Sequence, residues 1–266
     1  MANSEKLFEV ENLRVTYRRP GEKPVEAVKG VSFTLSTGET LGIVGESGSG
    51  KSTIAKTLML LQPAAGGTVR FKGQNIFSLS SAARRAYRHD VQMVFQDAVG
   101  SLNPRMTVRQ TLDEICAHTG DGRAMRTPEE LLDLVGLSRA VFDQYPRELS
   151  GGQCQRVSIA RSLAVNPVAL VADEPVSALD VSVQARILNL LRDLRRELNL
   201  AVLLIAHDLA VVRNVCDRVC VMHKGLFEDA GPAEDVFANP QSEYTKTLLA
   251  AVPDVARALA ARARAD

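Results

Sequence analysis

The run Gly45-Glu46-Ser47-Gly48-Ser49-Gly50-Lys51-Ser52 limits how this chain can fold more than any other stretch in it. It fits G-x-x-x-x-G-K-[ST]. Before it, Thr40-Leu41-Gly42-Ile43-Val44 is a short apolar run with β-branched members; after it, Thr53 to Leu61 reads as a helix. A strand that enters a glycine turn and leaves as a helix points several N–H groups inward at β- and γ-phosphates. Gly45, Glu46, Ser47, Gly48, Ser49, Gly50, Lys51, Ser52 and Thr53 are therefore the candidate phosphate grip, with Lys51 as the point charge and the Ser52 hydroxyl as a Mg²⁺ ligand. A flexible Gly/Ser turn is the plainer alternative, and it does not require both flanking elements.

Val168-Ala169-Leu170-Val171-Ala172-Asp173-Glu174, bounded by Pro167 and Pro175, has the pattern of a fully buried parallel strand. Its carboxylates stand at the C-terminal end, where open α/β sheets place ligands. Asp173 is suited to hold Mg²⁺ through water, and Glu174 to polarise a water attacking the γ-phosphate. Adjacent acids also occur at solvated strand ends; the upstream phosphate loop gives this pair its meaning. Ser177-Ala178-Leu179-Asp180 follows, and Asp180 reads either as an acid reaching across a dimer seam or as a plain helix N-cap.

A second candidate anion site is Leu149-Ser150-Gly151-Gly152-Gln153. Two of its residues lack a Cβ, and a helical pattern follows at once. Bare amides and a Ser hydroxyl at a helix start suit a terminal phosphate. Two separate phosphate-gripping elements in one chain suggest a nucleotide held between two copies. Gln96 follows the strand-like Val91 to Phe95 and could sense Mg²⁺ or the attacking water. His207 follows the buried-strand pattern Ala201 to Ala206 and could donate to the γ-phosphate. Tyr17, in a basic stretch, reads equally as an adenine-stacking ring and as a partly buried strand tyrosine.

Residues from about 7 to 38 read as antiparallel strands with a turn at Gly21 to Pro24, and Val69 to Gly73 adds a further strand. The segment of about 100 to 160 is helical in pattern; Thr127-Pro128-Glu129-Glu130 is a capping-box start whose apolar stripe runs to Gly136. Arg186 to Leu198 reads as an amphipathic helix, and Ala256 to Asp266 as a frayed tail. A net charge of +1 argues against a nucleic-acid partner. Cys116, Cys154, Cys216 and Cys220 form no C-x-x-C pair and fit a reducing compartment. With no run of roughly 18 apolar residues and no signal peptide, the expectation is a soluble chain that meets membranes only through partners.

Taken in order, Tyr17, Gly45 to Ser52, Gln96, Leu149 to Gln153, Asp173-Glu174, Ser177 to Asp180 and His207 resemble the motifs of an ABC transporter nucleotide-binding subunit, over nearly the whole chain. Gly100-Ser101-Leu102-Asn103-Pro104-Arg105-Met106-Thr107-Val108, Asp173 to Gln184 and the closing Asn239-Pro240…Tyr244-Thr245 through Pro253 are similar to its oligopeptide/dipeptide/nickel importer branch. Pro175-Val176 leans toward the second of the two ATPase subunits such importers employ. The chain departs from that pattern at Ala98, Cys154 and Ser242-Glu243, none a phosphate-contacting position. The C-terminal cysteine cluster of some members is missing, and no iron–sulfur group is carried over.

The resemblance implies an α/β fold: a P-loop NTPase (RecA-like) core with an antiparallel β-subdomain, about 7–96 and 160–227, and an inserted α-helical subdomain, about 97–159. A C-terminal extension would occupy about 228–266, the whole forming one nucleotide-binding domain. It also implies ATP and Mg²⁺ as ligands and a second ATPase subunit, paralogue or self, as partner. Two membrane permeases and, indirectly, a solute-binding protein complete the assembly at the cytoplasmic face of the cell membrane. A chromosome or repair ATPase of the same superfamily would carry a long coiled coil or a zinc-bearing insertion. A small-molecule kinase would lack Ser-Gly-Gly-Gln.

Overall fold

The computed structural model describes residues 5–18, 20–21, 23–117 and 126–250. Glu22 of the first turn, the tail 256–266 and the last residues of the stretch ending at Pro253 lie outside them. A four-stranded antiparallel sheet has the order β2-β1-β4-β5, from β1 (Lys6–Tyr17), β2 (Val25–Ser36), β4 (Gly66–Phe71) and β5 (Gln74–Asn75). Between β2 and β4 come β3 (Thr40–Val44) and α1 (Lys51–Leu58); α2 (Ser81–Asp90) leads into β6 (Val91–Val94). The helical stretch then holds α3 (Ala98–Ser101), α4 (Val108–Ala117), α5 (Pro128–Leu134) and α6 (Gly151–Leu163). The rest of the chain alternates: β7 (Ala169–Asp173), α7 (Val181–Leu198), β8 (Ala201–Ala206), α8 (Leu209–Arg213), β9 (Arg218–His223), β10 (Leu226–Pro232), α9 (Ala233–Ala238) and α10 (Glu243–Ala250).

The second sheet has six strands in the order β10-β9-β3-β8-β7-β6. The five from β9 to β6 are parallel, and β10 closes the edge as an antiparallel hairpin with β9. Every residue of β3, β7 and β8 is buried, because both sheet faces are covered. Leu170, Ala172, Val202 and Leu204 face a core shared with α4, α5 and α6. Val171, Leu203, Ile205, Leu41 and Ile43 face a second core, built with α1 and the antiparallel sheet. Burial on both faces is the reason these strands read as unbroken apolar runs in the sequence.

Thr127 and Glu130 make the expected capping box: the Thr127 hydroxyl accepts from the Glu130 amide, and the Glu130 carboxylate from the Thr127 amide. Three helix limits differ from the sequence reading, the first being the start of α1 at Lys51 rather than Thr53. α1 stops at Leu58 rather than Leu61, because Leu60 sits at φ 57 and the Leu61 and Gln62 amides both turn back to the Lys56 carbonyl. α7 starts at Val181 rather than Arg186, its first turn closed by the Val183 and Gln184 amides on the Asp180 carbonyl. No helix among the described residues is long and apolar enough to cross a membrane.

Candidate functional site

The parallel sheet delivers four sequence-predicted groups to one edge. The loop Gly45–Gly50 follows β3, Gln96 follows β6, Asp173 ends β7 with Glu174 next, and His207 follows β8. A parallel sheet sends all its strand ends the same way, so residues up to about 160 positions apart in sequence meet there.

The loop backbone depends on its glycines. Gly45 has φ 154, and a Cβ there would sit 2.0 Å from the Met222 carbonyl oxygen. Gly50 has φ 113, and its Cβ would meet the Ala27 carbonyl at 2.3 Å. Both approaches are to backbone, which cannot rotate aside, so no larger residue fits at either position. Lys51 opens α1 with only 3% of its surface exposed. Its Nζ donates to the Gly45 carbonyl at 2.8 Å and the Glu46 carbonyl at 2.7 Å. Burial lowers the Lys51 pKa, opposed by the charges of Glu174, Asp173 and Glu46.

The Ser52 hydroxyl donates to Asp173 Oδ1 at 2.9 Å. Burial raises the Asp173 carboxyl above its ordinary value; the Ser52 hydrogen bond opposes that rise and the Glu174 charge adds to it. A hydroxyl and a buried carboxylate side by side form a hard-oxygen pair suited to a small divalent cation. Glu174 stands at φ 46, a strained position for a side chain of its size. Its amide still donates to Ile205 O on β8 at 3.0 Å, and the Ser177 hydroxyl and amide both donate to its carbonyl. Those bonds hold the turn that aims the carboxylate outward. Glu174 Oε2 accepts from Gln96 Nε2 at 3.1 Å and lies 3.4 Å from His207 Nδ1.

Lys51, Ser52, Gln96 and Glu174 line a cleft of about 330 Å³ together with Tyr17, Ala27, Ser47, Gly48, Gly50 and Thr53; Asp173 and His207 adjoin it through Ser52 and Glu174. Tyr17 is a partly buried strand tyrosine that also lines the cleft. It is the last residue of β1, half-buried, and its hydroxyl lies 3.3 Å from the Thr53 hydroxyl at the cleft wall. Ala27 and Met222 escaped the sequence reading, because their roles are backbone contacts from other strands and no residue type announces them.

Ser150, Gly151, Gly152 and Gln153 are not among the cleft's lining residues. Ser150 is the N-cap of α6, in a reciprocal box: its hydroxyl accepts from the Gln153 amide at 3.3 Å, and its amide donates to Gln153 Oε1 at 2.8 Å. That satisfies the third helical amide and leaves those of Gly151 and Gly152 without an intrahelical acceptor. Ser150 and Gly151 are exposed. The missing Cβ at Gly152 has an intrachain reason as well, since it would meet Val183 Cγ1 at 2.6 Å. Asp180 occupies the N-cap position of α7, yet its side chain makes no capping bond and is exposed. Asp180 is thus the N-cap by position, with its backbone carbonyl rather than its side chain closing the first turn. One molecule thus carries a cleft lined by the glycine loop and, outside it, a separate helix start with open amides.

An ABC transporter family model matches residues 28–177, more than half of the chain, from β2 through the loop, Gln96 and Ser150 to Glu174. The chain is 48% identical over 238 residues to the oligopeptide transport ATP-binding protein OppF of Lactococcus lactis subsp. lactis (strain IL1403), covering 87% of this chain and 73% of that protein. It is 46% identical over 265 residues to the oligopeptide transport ATP-binding protein AppF of Bacillus subtilis (strain 168), covering 95% and 80%. Among solved structures, the dimeric post-hydrolysis ATP-binding cassette MJ0796 bound to ADP and Pi is similar at TM-score 0.74 and 31% identity, over 85% of this chain and 98% of that one. CbiO1 from Clostridium perfringens, part of an ABC transporter complex, is similar at TM-score 0.76 and 26% identity, over 96% and 99%. With the fold of these cassettes and a family match across its phosphate loop, the chain belongs to the ABC transporter family.

Proposed function

We propose that the chain is the ATP-hydrolysing subunit of a peptide importer, with ATP enclosed between two such subunits. The observation that carries the reading is the division of the site: the glycine loop, Gln96 and Glu174 line one cleft, with Asp173 bonded to Ser52 and His207 beside Glu174, while the open amides of Gly151 and Gly152 lie outside it. Tyr17 carries the base, and the loop amides from Ser47 to Thr53 with Lys51 cradle the phosphates. Ser150, Gly151, Gly152 and Gln153 of the opposing subunit cover the γ-phosphate, and Asp180 reaches across the seam. Donors fixed in a site that closes only around ATP make closure depend on nucleotide state.

Ser52 and Asp173, with Gln96 beside them, are suited to hold Mg²⁺, which when bound neutralises charge on the β- and γ-phosphates. Glu174 orients the attacking water, and Gln96 and His207, both close to its carboxylate, fix its direction and report on the γ-phosphate. Gln96 also begins the helical segment of about 97–159, so its movement rotates that segment relative to the sheet. Two permeases receive this rotation, and a solute-binding protein delivers the cargo to them. The assembly places the chain at the cytoplasmic face of the cell membrane. Peptide cargo is supported by the likeness to the OppF and AppF proteins.

Deleting the chain from its host is expected to abolish uptake of labelled short peptides, restored by the wild-type chain and not by a Lys51→Ala copy. Full peptide uptake in the deletion strain would reject the cargo assignment. A second test addresses the composite site. Ser150→Ala is expected to slow steady-state phosphate release by about ten- to a hundred-fold, the worth of a hydrogen bond to a charged group. MgATP affinity of the isolated chain should stay at the wild-type value. Equal losses in both would place Ser150 in its own chain's cleft. The same change removes the α6 cap, so a melting temperature should accompany each rate.

A further inference from the structure

Helix α10 reaches back to the phosphate loop from the far end of the chain. Its start is fixed to β10: Asp229, 9% exposed, accepts from the amides of Gln241 at 3.3 Å and Ser242 at 3.1 Å. The Ser242 hydroxyl then accepts from the amide of Thr245, which is fully buried. With the helix so anchored, the Tyr244 ring lies flat on the His223 imidazole at the end of β9, 3.9 Å between centroids and 8° between planes. Its hydroxyl accepts from the Glu46 amide at 3.2 Å, across 198 residues of sequence.

The peptide group that Tyr244 touches is the one that faces Lys51. The Gly45–Glu46 peptide has its N–H on Tyr244 and its C=O, the Gly45 carbonyl, on Lys51 Nζ at 2.8 Å. Rotating this peptide plane breaks both bonds together, so a bond on one side fixes the acceptor on the other. The β9–β10 turn grips the loop a second time, through the Gly225 amide on the Ser49 carbonyl at 2.9 Å. Neither Glu46 nor Ser49 lines the cleft. The supports act from behind the loop and leave its front free for a ligand.

We propose that Tyr244 is a positioning residue for Lys51: by holding the Gly45–Glu46 peptide in one orientation, α10 keeps the Lys51 ammonium preorganised at the phosphate cleft. The proposal rests on the reading of that cleft as the MgATP site. Preorganisation strengthens binding by removing an ordering cost that the ligand otherwise meets.

Tyr244→Phe deletes the hydroxyl and keeps the ring on His223. In the full chain without nucleotide, hydrogen exchange at the Glu46 amide is expected to quicken about three- to ten-fold, the loss of one ordinary hydrogen bond. MgATP titrated calorimetrically into the same protein should bind more weakly by a similar factor, with the melting temperature kept. Tyr244→Ala, which also removes the stack, should weaken MgATP further. Wild-type exchange and wild-type MgATP affinity in Tyr244→Phe would overturn the proposal. So would a lowered melting temperature with MgATP affinity untouched, since the contact would then serve stability alone. A wild-type chain that binds no MgATP would overturn it together with the reading of the cleft. The Glu46 exchange rate still reports the contact on its own in that case, so the two failures are told apart.

Discussion

Glu174→Gln is expected to lower steady-state ATP hydrolysis by about a thousand-fold while leaving MgATP binding intact, within the range a positioned acid–base group supplies. The amide has nearly the shape of the carboxylate, and the turn that aims it is held by backbone bonds from Ile205 and Ser177 that the change does not touch. What it loses is the negative charge between Gln96 and His207, and with it the acceptor for a water proton. Binding without hydrolysis should trap two subunits around nucleotide. Size-exclusion chromatography of the variant with ATP is expected to give a dimer that the wild type shows only fleetingly. Native-rate hydrolysis by Glu174→Gln would remove this residue from the chemical step.

Lys51→Ala is expected to weaken MgATP binding by about a hundred-fold or more and to remove measurable hydrolysis, in line with the loss of one strong preorganised donor. The ammonium is buried beneath the loop with two carbonyl partners, so no neighbouring side chain can swing in to replace it. Its removal also takes away one of the two cations that offset the Asp173 charge, Lys56 being the other. Lys51→Arg should not rescue, because a planar guanidinium cannot reproduce the compact point charge that Lys51 Nζ holds against the Gly45 and Glu46 carbonyls. Calorimetry with MgATP and phosphate-release kinetics check both expectations. Binding within a few-fold of wild type would contradict the role assigned to Lys51.

Much of the fold could be read from residues whose surroundings are set locally. The strand, loop and helix around Gly45 to Ser52 follow from glycine spacing and apolar flanks, and β7 and β8 announced their two-sided burial by unbroken apolar runs. Thr127 and Glu130 capped α5 as their spacing required. Contacts between distant segments were not legible. Nothing in the sequence puts β3 between β9 and β8, or brings the Ala27 and Met222 carbonyls against the loop glycines. Val181 and Ser182 face solvent, so the first turn of α7 has no apolar period to reveal it. Gly152 read as an anion-facing residue, and its space is also claimed by Val183. Tyr244 stood in a recognisable stretch, but its hydroxyl finds Glu46 only through the docking of α10 on the β9–β10 hairpin.

Hydrolysis measured against protein concentration, with oligomeric state followed in parallel by ultracentrifugation, asks most directly whether two subunits share each ATP. Activity per chain is expected to fall toward zero as the chain is diluted to monomer, and to return with concentration or with an added partner ATPase subunit. Undiminished turnover per chain from a demonstrated monomer would contradict the shared site.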